Sequence, residues 1–133
     1  DGSLWVMGRN NEGQLGDGNT TNRTSPVKVV DANVSAIAGD GQHSLYRKTD
    51  GSLWVMGRNF EGQLGDGTTT NRTSPVKVVD ANVSAIAGGS QHSLYRKTDG
   101  SLWGMGRNSS GQLNRRIVPN SREALQAVFQ STN

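Results

Sequence analysis

The stretch DGSLWVMGRNFEGQLGDG, Asp50 to Gly67, decides the fold, because nearly the same sequence opens the chain at Asp1 and returns at Asp99. The spacing between successive starts is 49 residues in both cases. Repeats of this length are typical of propeller blades or solenoid turns, in which each unit packs on its neighbours. The sequence therefore predicts one repeat protein rather than a string of separate globular domains.

The repeats divide most of the chain into two full copies and one partial copy. The full copies span residues 1–49 and 50–98, and they agree at 45 of 49 positions. The partial copy spans residues 99–113 and begins DGSLWGMGRNSSGQL. Such near identity indicates a recent duplication in a repeat protein or an engineered fragment.

A divergent tail, residues 114–133, follows the repeats and abandons their pattern. Asn120 is a suitable helix cap with Glu123 three residues later, and apolar residues beyond it share one face. We therefore expect a short helix at 121–130 that caps the last blade, or else a frayed end left by truncation.

Each period reads as four short strands joined by turns. The run from Ser3 to Gly8 is apolar on both faces, which predicts cover from neighbouring sheets above and below. Pro26 opens PVKVV, and a proline that begins a strand is tolerated best at a sheet edge. The small side chains of VSAIAG (Val34 to Gly39) suit a crowded inner strand, and an Asp-Gly turn joins HSLYRK to the next SLWVMG. The predicted fold class is all-β, with about two four-stranded antiparallel blades and part of a third.

Composition and charge narrow the classes of partner. The 133 residues include 18 glycines, 3 prolines and no cysteine, which excludes disulfides and thiolate metal sites. The net charge is +3, but the repeats carry 11 Lys/Arg against 10 Asp/Glu, so no basic stripe points to nucleic acid. The apolar runs are strand-sized, so we expect no membrane partner.

Several motifs that suggest chemistry have simpler structural explanations. His43 and His92 have no second histidine or carboxylate at ligand spacing, so we interpret them as hydrogen-bonded structural residues. The GQLGDG segments lack the Lys-Ser/Thr of a phosphate loop, and their one or two carboxylates are too few for calcium. No Ser-His-Asp set recurs, and the mid-strand tryptophans are predicted to pack between blades. We therefore expect no enzymatic activity, cofactor or metal.

Taken in order, these elements resemble the repeat of the regulator of chromosome condensation family. The shared pattern is a strand, GRN-x-x-GQLGDG, a proline-led strand, a small-residue strand that ends in Gly, then HSL and a Thr-Asp-Gly turn. The resemblance covers about 113 of the 133 residues. It implies the blades of a seven-bladed propeller, and the family's founding member is a chromatin-bound guanine-nucleotide exchange factor for a small nuclear GTPase. Because the repeat occurs in proteins of many roles, the resemblance implies fold more firmly than activity.

Three functions are compatible with these features. The first is a non-enzymatic protein-interaction or scaffolding module. The second is a fragment of an exchange factor or of another regulatory propeller, although no exchange loop can be matched residue by residue. The third is an engineered or non-functional fragment. Uncovered apolar blade faces also predict self-association, as a ring of three or four copies or within a larger propeller.

The differences between the two full copies predict where binding would occur. They are Asn11/Phe60, Asn19/Thr68, Asp40/Gly89 and Gly41/Ser90. Antiparallel alternation brings the loops after SLWVMG and after VSAIAG to one rim, and drift in permissive loops is the competing explanation. The candidate binding residues are Asn11, Asn19, Asp40, Phe60, Glu61, Thr68 and Ser90. Phe60 is the strongest candidate because exposed aromatics are common binding anchors, unless it folds back on the adjacent blade.

Overall fold

The computed structural model describes residues 1–108, so the tail and its expected helix at 121–130 lie outside the described residues. The described part contains nine β-strands and no helix. The strands are β1 (Leu4–Gly8), β2 (Arg23–Val30), β3 (Val34–Gly39), β4 (His43–Lys48), β5 (Leu53–Gly57), β6 (Arg72–Val79), β7 (Val83–Gly88), β8 (His92–Lys97) and β9 (Leu102–Gly106).

These strands form three antiparallel sheets, which confirms the all-β prediction. Their orders are β1-β2, β3-β4-β5-β6 and β7-β8-β9. The four-stranded blade therefore takes β3 and β4 from the first sequence copy and β5 and β6 from the second. An Asp-Gly hairpin connects the two halves, with Gly51 at φ 84° and Lys48 N donating to Ser52 O at 3.1 Å. Positive φ at this position is readily adopted by glycine, so the turn joins strands of different copies into one sheet.

The prediction that proline opens its strand was wrong. β2 begins at Arg23, three residues before Pro26. The β1–β2 ladder shifts register between the pairs Val6↔Val27 and Gly8↔Arg23, so the segment around Pro26 lies in an irregular part of the ladder. Proline has no N–H to donate, and a bulge on an edge strand tolerates that loss. The edge placement itself is confirmed by β6, which lies last in its sheet.

The apolar core lies between the sheets, on both faces of β5. Leu53 and Val55 pack with residues of the third sheet, whereas Met56 packs with Leu4 of the first sheet. The inner strands also meet, because a Cβ built on Gly88 of β7 would be 3.3 Å from Leu45 Cδ1 of β4. The expectation that SLWVMG is covered on both sides is therefore confirmed for the second copy.

Candidate functional site

Four loops leave the sheets along one rim, because the connections after β1, β3, β5 and β7 emerge from the same ends of antiparallel strands. The two loops of one blade contact each other, since Arg58 N donates to Gln42 O at 2.8 Å. Arg107 N and Gln91 O repeat this contact at 2.9 Å in the next blade. All seven predicted binding residues belong to these loops.

A buried asparagine organises each long loop. Asn59 is fully buried, and its Nδ2 donates to Asp66 Oδ1 at 3.0 Å and to the Thr68 carbonyl at 3.0 Å. Its Oδ1 accepts a hydrogen bond from Leu64 N at 2.9 Å. Asn10 makes the equivalent bonds in the first loop. Because one side chain satisfies several backbone groups, the loop is held in a single conformation without regular secondary structure.

An ion pair closes the base of the same loop. Arg72 Nε donates to Asp66 Oδ2 at 2.8 Å, and Arg23 and Asp17 form the same pair in the first copy. Burial would raise the pKa of Asp66, but hydrogen bonds from Arg72, Thr68 and Asn59 outweigh it and hold the pKa below the usual value. The loop carboxylates are therefore committed to loop structure. Within residues 1–108, no group of three or more His, Asp or Glu side chains is arranged to hold a metal ion.

The GQLG segment attaches each loop to the following blade. Gln14 Nε2 donates to Gly41 O at 2.8 Å, and Ser44 Oγ donates to Gln14 O at 2.8 Å. Gly57, at φ 112°, lies beneath this segment, where a Cβ would come within 3.1 Å of Gln14 Cα. The GQLGDG segments were considered from the sequence as possible phosphate or calcium loops, and this packing role was not identified. The unvaried GQLG beside variable neighbours was the available signal for this packing role.

An Asp-His-Ser arrangement, in which the histidine and the serine are buried, lies at the junction between two blades. Asp40 Oδ1 is 3.2 Å from His43 Nδ1, and His43 Nε2 is 2.9 Å from Ser93 Oγ. The expectation that His43 has no carboxylate at ligand spacing was wrong, because a tight turn brings Asp40 to the Nδ1 edge of the ring. Ser93 Oγ donates to Gln63 O at 2.6 Å, and both His43 and Ser93 are fully buried. In this conformation no substrate can reach the hydroxyl, so the arrangement links blades rather than presenting a nucleophile.

Burial also controls the protonation of this histidine. Removal from water lowers the pKa of His43, and the nearby Asp40 carboxylate opposes that effect only in part. The neutral ring leaves His43 Nδ1 without a hydrogen-bond partner. We therefore expect the blade junction to lose stability on acidification.

The seven predicted residues differ in how they are used. Four of them are engaged inside their own loops, namely Asn19, Asp40, Glu61 and Thr68. The other three, Asn11, Phe60 and Ser90, have exposed side chains. Asn19 and Thr68 are exposed as well, so the rim combines residues whose side chains shape the loops with three exposed residues that differ in this respect.

Phe60 is the most exposed aromatic residue of the rim, with 61% of its surface accessible. Its ring does not fold back on the adjacent blade but lies beneath Arg58, whose guanidinium carbon is 4.7 Å from the ring centroid. Arg58 Nε also pairs with Glu61 Oε1 at 3.3 Å. The hydrogen bond from Arg58 lowers the pKa of Glu61, so this carboxylate stays charged near neutral pH. The three side chains form a small apolar surface bordered by both charges.

A four-stranded antiparallel sheet that packs between two further antiparallel sheets, with one strand innermost, defines a propeller-blade repeat protein. Two models of the regulator of chromosome condensation (RCC1) repeat match the chain, one at residues 1–46 and 50–95 and the other at 34–63 and 83–112. The chain belongs to the RCC1 repeat family. No curated protein matches it. None of the described residues forms a helix long and apolar enough to cross a membrane.

Solved structures show the same fold. Human WBSCR16 is 25% identical, with a TM-score of 0.73 over 89% of this chain and 32% of its own. Yeast RCC1 (Prp20), solved bound to Kap60, is 21% identical, with a TM-score of 0.75 over 93% of this chain and 32% of its own. Prp20p from Saccharomyces cerevisiae, described with its binding to Gsp1p and histones, is 24% identical, with a TM-score of 0.63 over 78% of this chain and 29% of its own. The chain thus spans about a third of the length of these proteins.

Proposed function

We propose that this chain is a non-enzymatic protein-interaction module that binds its partner through the rim, with Phe60 as the anchor. The observation that carries the proposal is an aromatic ring, 61% exposed, on a loop fixed by the buried Asn59. An exposed ring on an ordered loop loses little conformational freedom when it binds. Aromatic and arginine side chains are also enriched among residues that dominate binding energy.

The surroundings of Phe60 indicate what kind of partner surface would fit. Arg58 stacks on one face of the ring and Glu61 pairs with Arg58, so the apolar area is small and bordered by both charges. A complementary partner would offer an apolar pocket with polar groups of both signs at its edge. Folded protein surfaces provide such pockets. Kap60, Gsp1p and histones, named with the yeast structures, are all proteins, which supports this class of partner.

The test uses the difference between the two copies. Phe60→Asn gives the second loop the residue that the first loop carries at Asn11, so the substitution is compatible with the loop structure. A photoreactive phenylalanine analogue at position 60 of the full chain should crosslink a partner in an extract of the source cells. The same analogue at position 11 is the matched control.

The captured protein should then bind the Phe60→Asn variant at least about tenfold more weakly, with an unchanged melting temperature. Equal crosslinking at both positions, or unchanged affinity for the variant, would contradict the proposal. A lower melting temperature with intact affinity would assign Phe60 to packing.

A second candidate function is part of a regulatory propeller of the exchange-factor type. The likeness to yeast RCC1 favours it at the level of fold. If the chain has this activity, it should accelerate release of labelled nucleotide from a small GTPase of the kind that the family's founding member acts on. Unchanged release at saturating chain would reject it.

Independently of the partner, we propose that the chain self-associates through the open ends of its blade stack, because uncovered apolar faces favour association.

A further inference from the structure

The two ends of the blade stack have the same residues as the junction between blades in the interior. At the ends, these residues lack the contacts that they make in the interior. At the first end, Trp5, Met7 and Ile37 are 53%, 60% and 68% exposed. In the next copy, Met56 is 1% exposed and Ile86 packs against the core. The first end therefore exposes side chains whose equivalents the interior junction buries.

A groove at the first end marks the missing contact. It has a volume of about 460 Å³ and is lined by apolar residues that include Val6, Met7 and Ile37. In the interior, Leu45 reaches to 3.3 Å from a Cβ built on Gly88. A Cβ on the equivalent Gly39 meets only its own blade, at distances of 3.8 Å or more. The groove thus lies beside β1 in the position that the inner strands β3 and β4 take beside β5 in the interior blade.

The second end has a complementary opening. A groove of about 610 Å³ is lined by Asp66, Val76, Val78 and Met105, among others. Its interior equivalent, beside Asp17, Val27 and Val29, is about 360 Å³ and is bordered by Ser74 of β6. Among the described residues, the third sheet ends at β9 and has no outer strand of this kind. The second groove therefore lies beside β9 in the position that the outer strand β6 takes beside β5.

β9, the strand that pairs with the edge of β8, provides less side-chain packing than β1 would provide in the same position. β9 reads LWGMG and β1 reads LWVMG, so Gly104 stands where β1 has Val6. Gly104 lies opposite Leu94, whereas the interior blade places Val55 opposite Leu45 in the same register. Glycine inside a strand adds no side chain to this packing and loses more backbone entropy on ordering. β1 also brings the outer strand β2 with it.

We propose that the β1–β2 hairpin of a second copy displaces β9 and pairs with β8. The resulting blade, β7-β8-β1-β2, has the same strand sequences as the interior blade β3-β4-β5-β6. One exchange fills both grooves, since β7 and β8 enter the first groove and β2 enters the second. The contact is head-to-tail, and each copy contributes two blades, so three or four copies would close rings of about six or eight blades.

This inference rests on the proposed self-association, and engineered disulfides can test it because the chain has no cysteine. Leu94→Cys with Val6→Cys places one thiol on β8 and the other on β1, which are paired only after exchange. Leu94→Cys with Gly104→Cys is the matched control, because β8 and β9 are already paired within one chain. Both variants are made in the full chain, and Leu94→Cys alone reports any loss of melting temperature.

Exchange predicts opposite results for the two variants. Oxidation of the first should give disulfide-linked multimers on a non-reducing gel. Oxidation of the second should lock β9 in place and give monomers by light scattering, with association restored on reduction. Gly104→Val, which makes β9 identical to β1, should weaken self-association by about tenfold. Multimers in light scattering without the β1–β8 crosslink would overturn strand exchange alone. Monomers at all concentrations would overturn the proposed self-association as well.

Discussion

The strands Leu4–Gly8 and Leu53–Gly57 have the same five residues and different environments. Met7 is 60% exposed, whereas Met56 is 1% exposed. Each strand pairs with an outer strand of identical sequence. The difference arises because β5 lies between two sheets and β1 lies at the end of the stack. Burial in this molecule therefore depends on neighbouring blades, and the local sequence supplies only the capacity to be buried.

The largest expected effect is the difference in stability between substitutions of Met56 and Met7. Met56→Ala should lower the free energy of unfolding by about 2–5 kcal/mol, because it opens a cavity between blades. Met7→Ala should change it by less than about 0.5 kcal/mol, as an exposed substitution does. Urea unfolding at a protein concentration low enough to keep the chain monomeric would measure both. Equal losses would mean that the first end is covered in solution.

In contrast to the two methionines, the two buried asparagines should have equal effects on stability when they are substituted. Asn59→Ala and Asn10→Ala should each lower the free energy of unfolding by about 2–3 kcal/mol, because each substitution leaves several backbone groups without a hydrogen-bond partner. Both side chains are fully buried and make the same bonds, so the two losses should agree. Chemical denaturation of the two variants side by side is the measurement. A large loss for one variant only would show that the loops are not equivalent.

The smallest expected effect concerns pH at the blade junction. Because the pKa of His43 is lowered in the folded chain, the unfolded chain binds more protons as the pH falls below about 6.5. Stability should therefore decrease on acidification, by up to about 1.4 kcal/mol per pH unit until the folded pKa is reached. The slope should be smaller in His43→Gln. Asp40→Gly copies Gly89 of the second repeat and removes the charge that opposes the shift, so the loss should extend to lower pH.

Thermal melts between pH 7 and pH 5 would show these slopes. The comparison between the wild-type chain and His43→Gln removes the contribution of carboxylates such as Asp66, since both chains retain them. A steeper loss in His43→Gln than in the wild-type chain would refute the assignment of the slope to His43.

The strands and their order could be predicted because the signals are local. The alternation of SLWVMG, the Asp-Gly hairpin and the small residues of VSAIAG correspond to β5, the turn at Gly51 and the inner strand β3. The start of β2 could not be predicted, because a register shift accommodates Pro26 inside the strand. Parity along an antiparallel sheet was also sufficient to assign the variable loops to one rim.

The sequence did not predict which rim residues bond within the protein, because those bonds join segments that are distant in the sequence. Asp40 resembled a free rim carboxylate in the sequence, but it lies against His43, which in turn contacts Ser93 of the next blade. Gln14 lies in a loop and had no predicted role, but its side chain donates a hydrogen bond to Gly41 O, 27 residues away in the sequence. Such contacts have no periodicity in the sequence, so residue spacing alone does not reveal them.

The sequence by itself determined the repeat, its four strands and which of them are inner and outer, because turn chemistry and side-chain alternation act over a few residues. Only the tertiary structure decided which identical residues are buried, since the same LWVMG is core in β5 and partly surface in β1. It also decided that blades begin at β3 rather than at the start of the sequence copy. The physical reason is that hydrophobic burial is a property of the assembled stack, which identical sequences share only when they have the same neighbours.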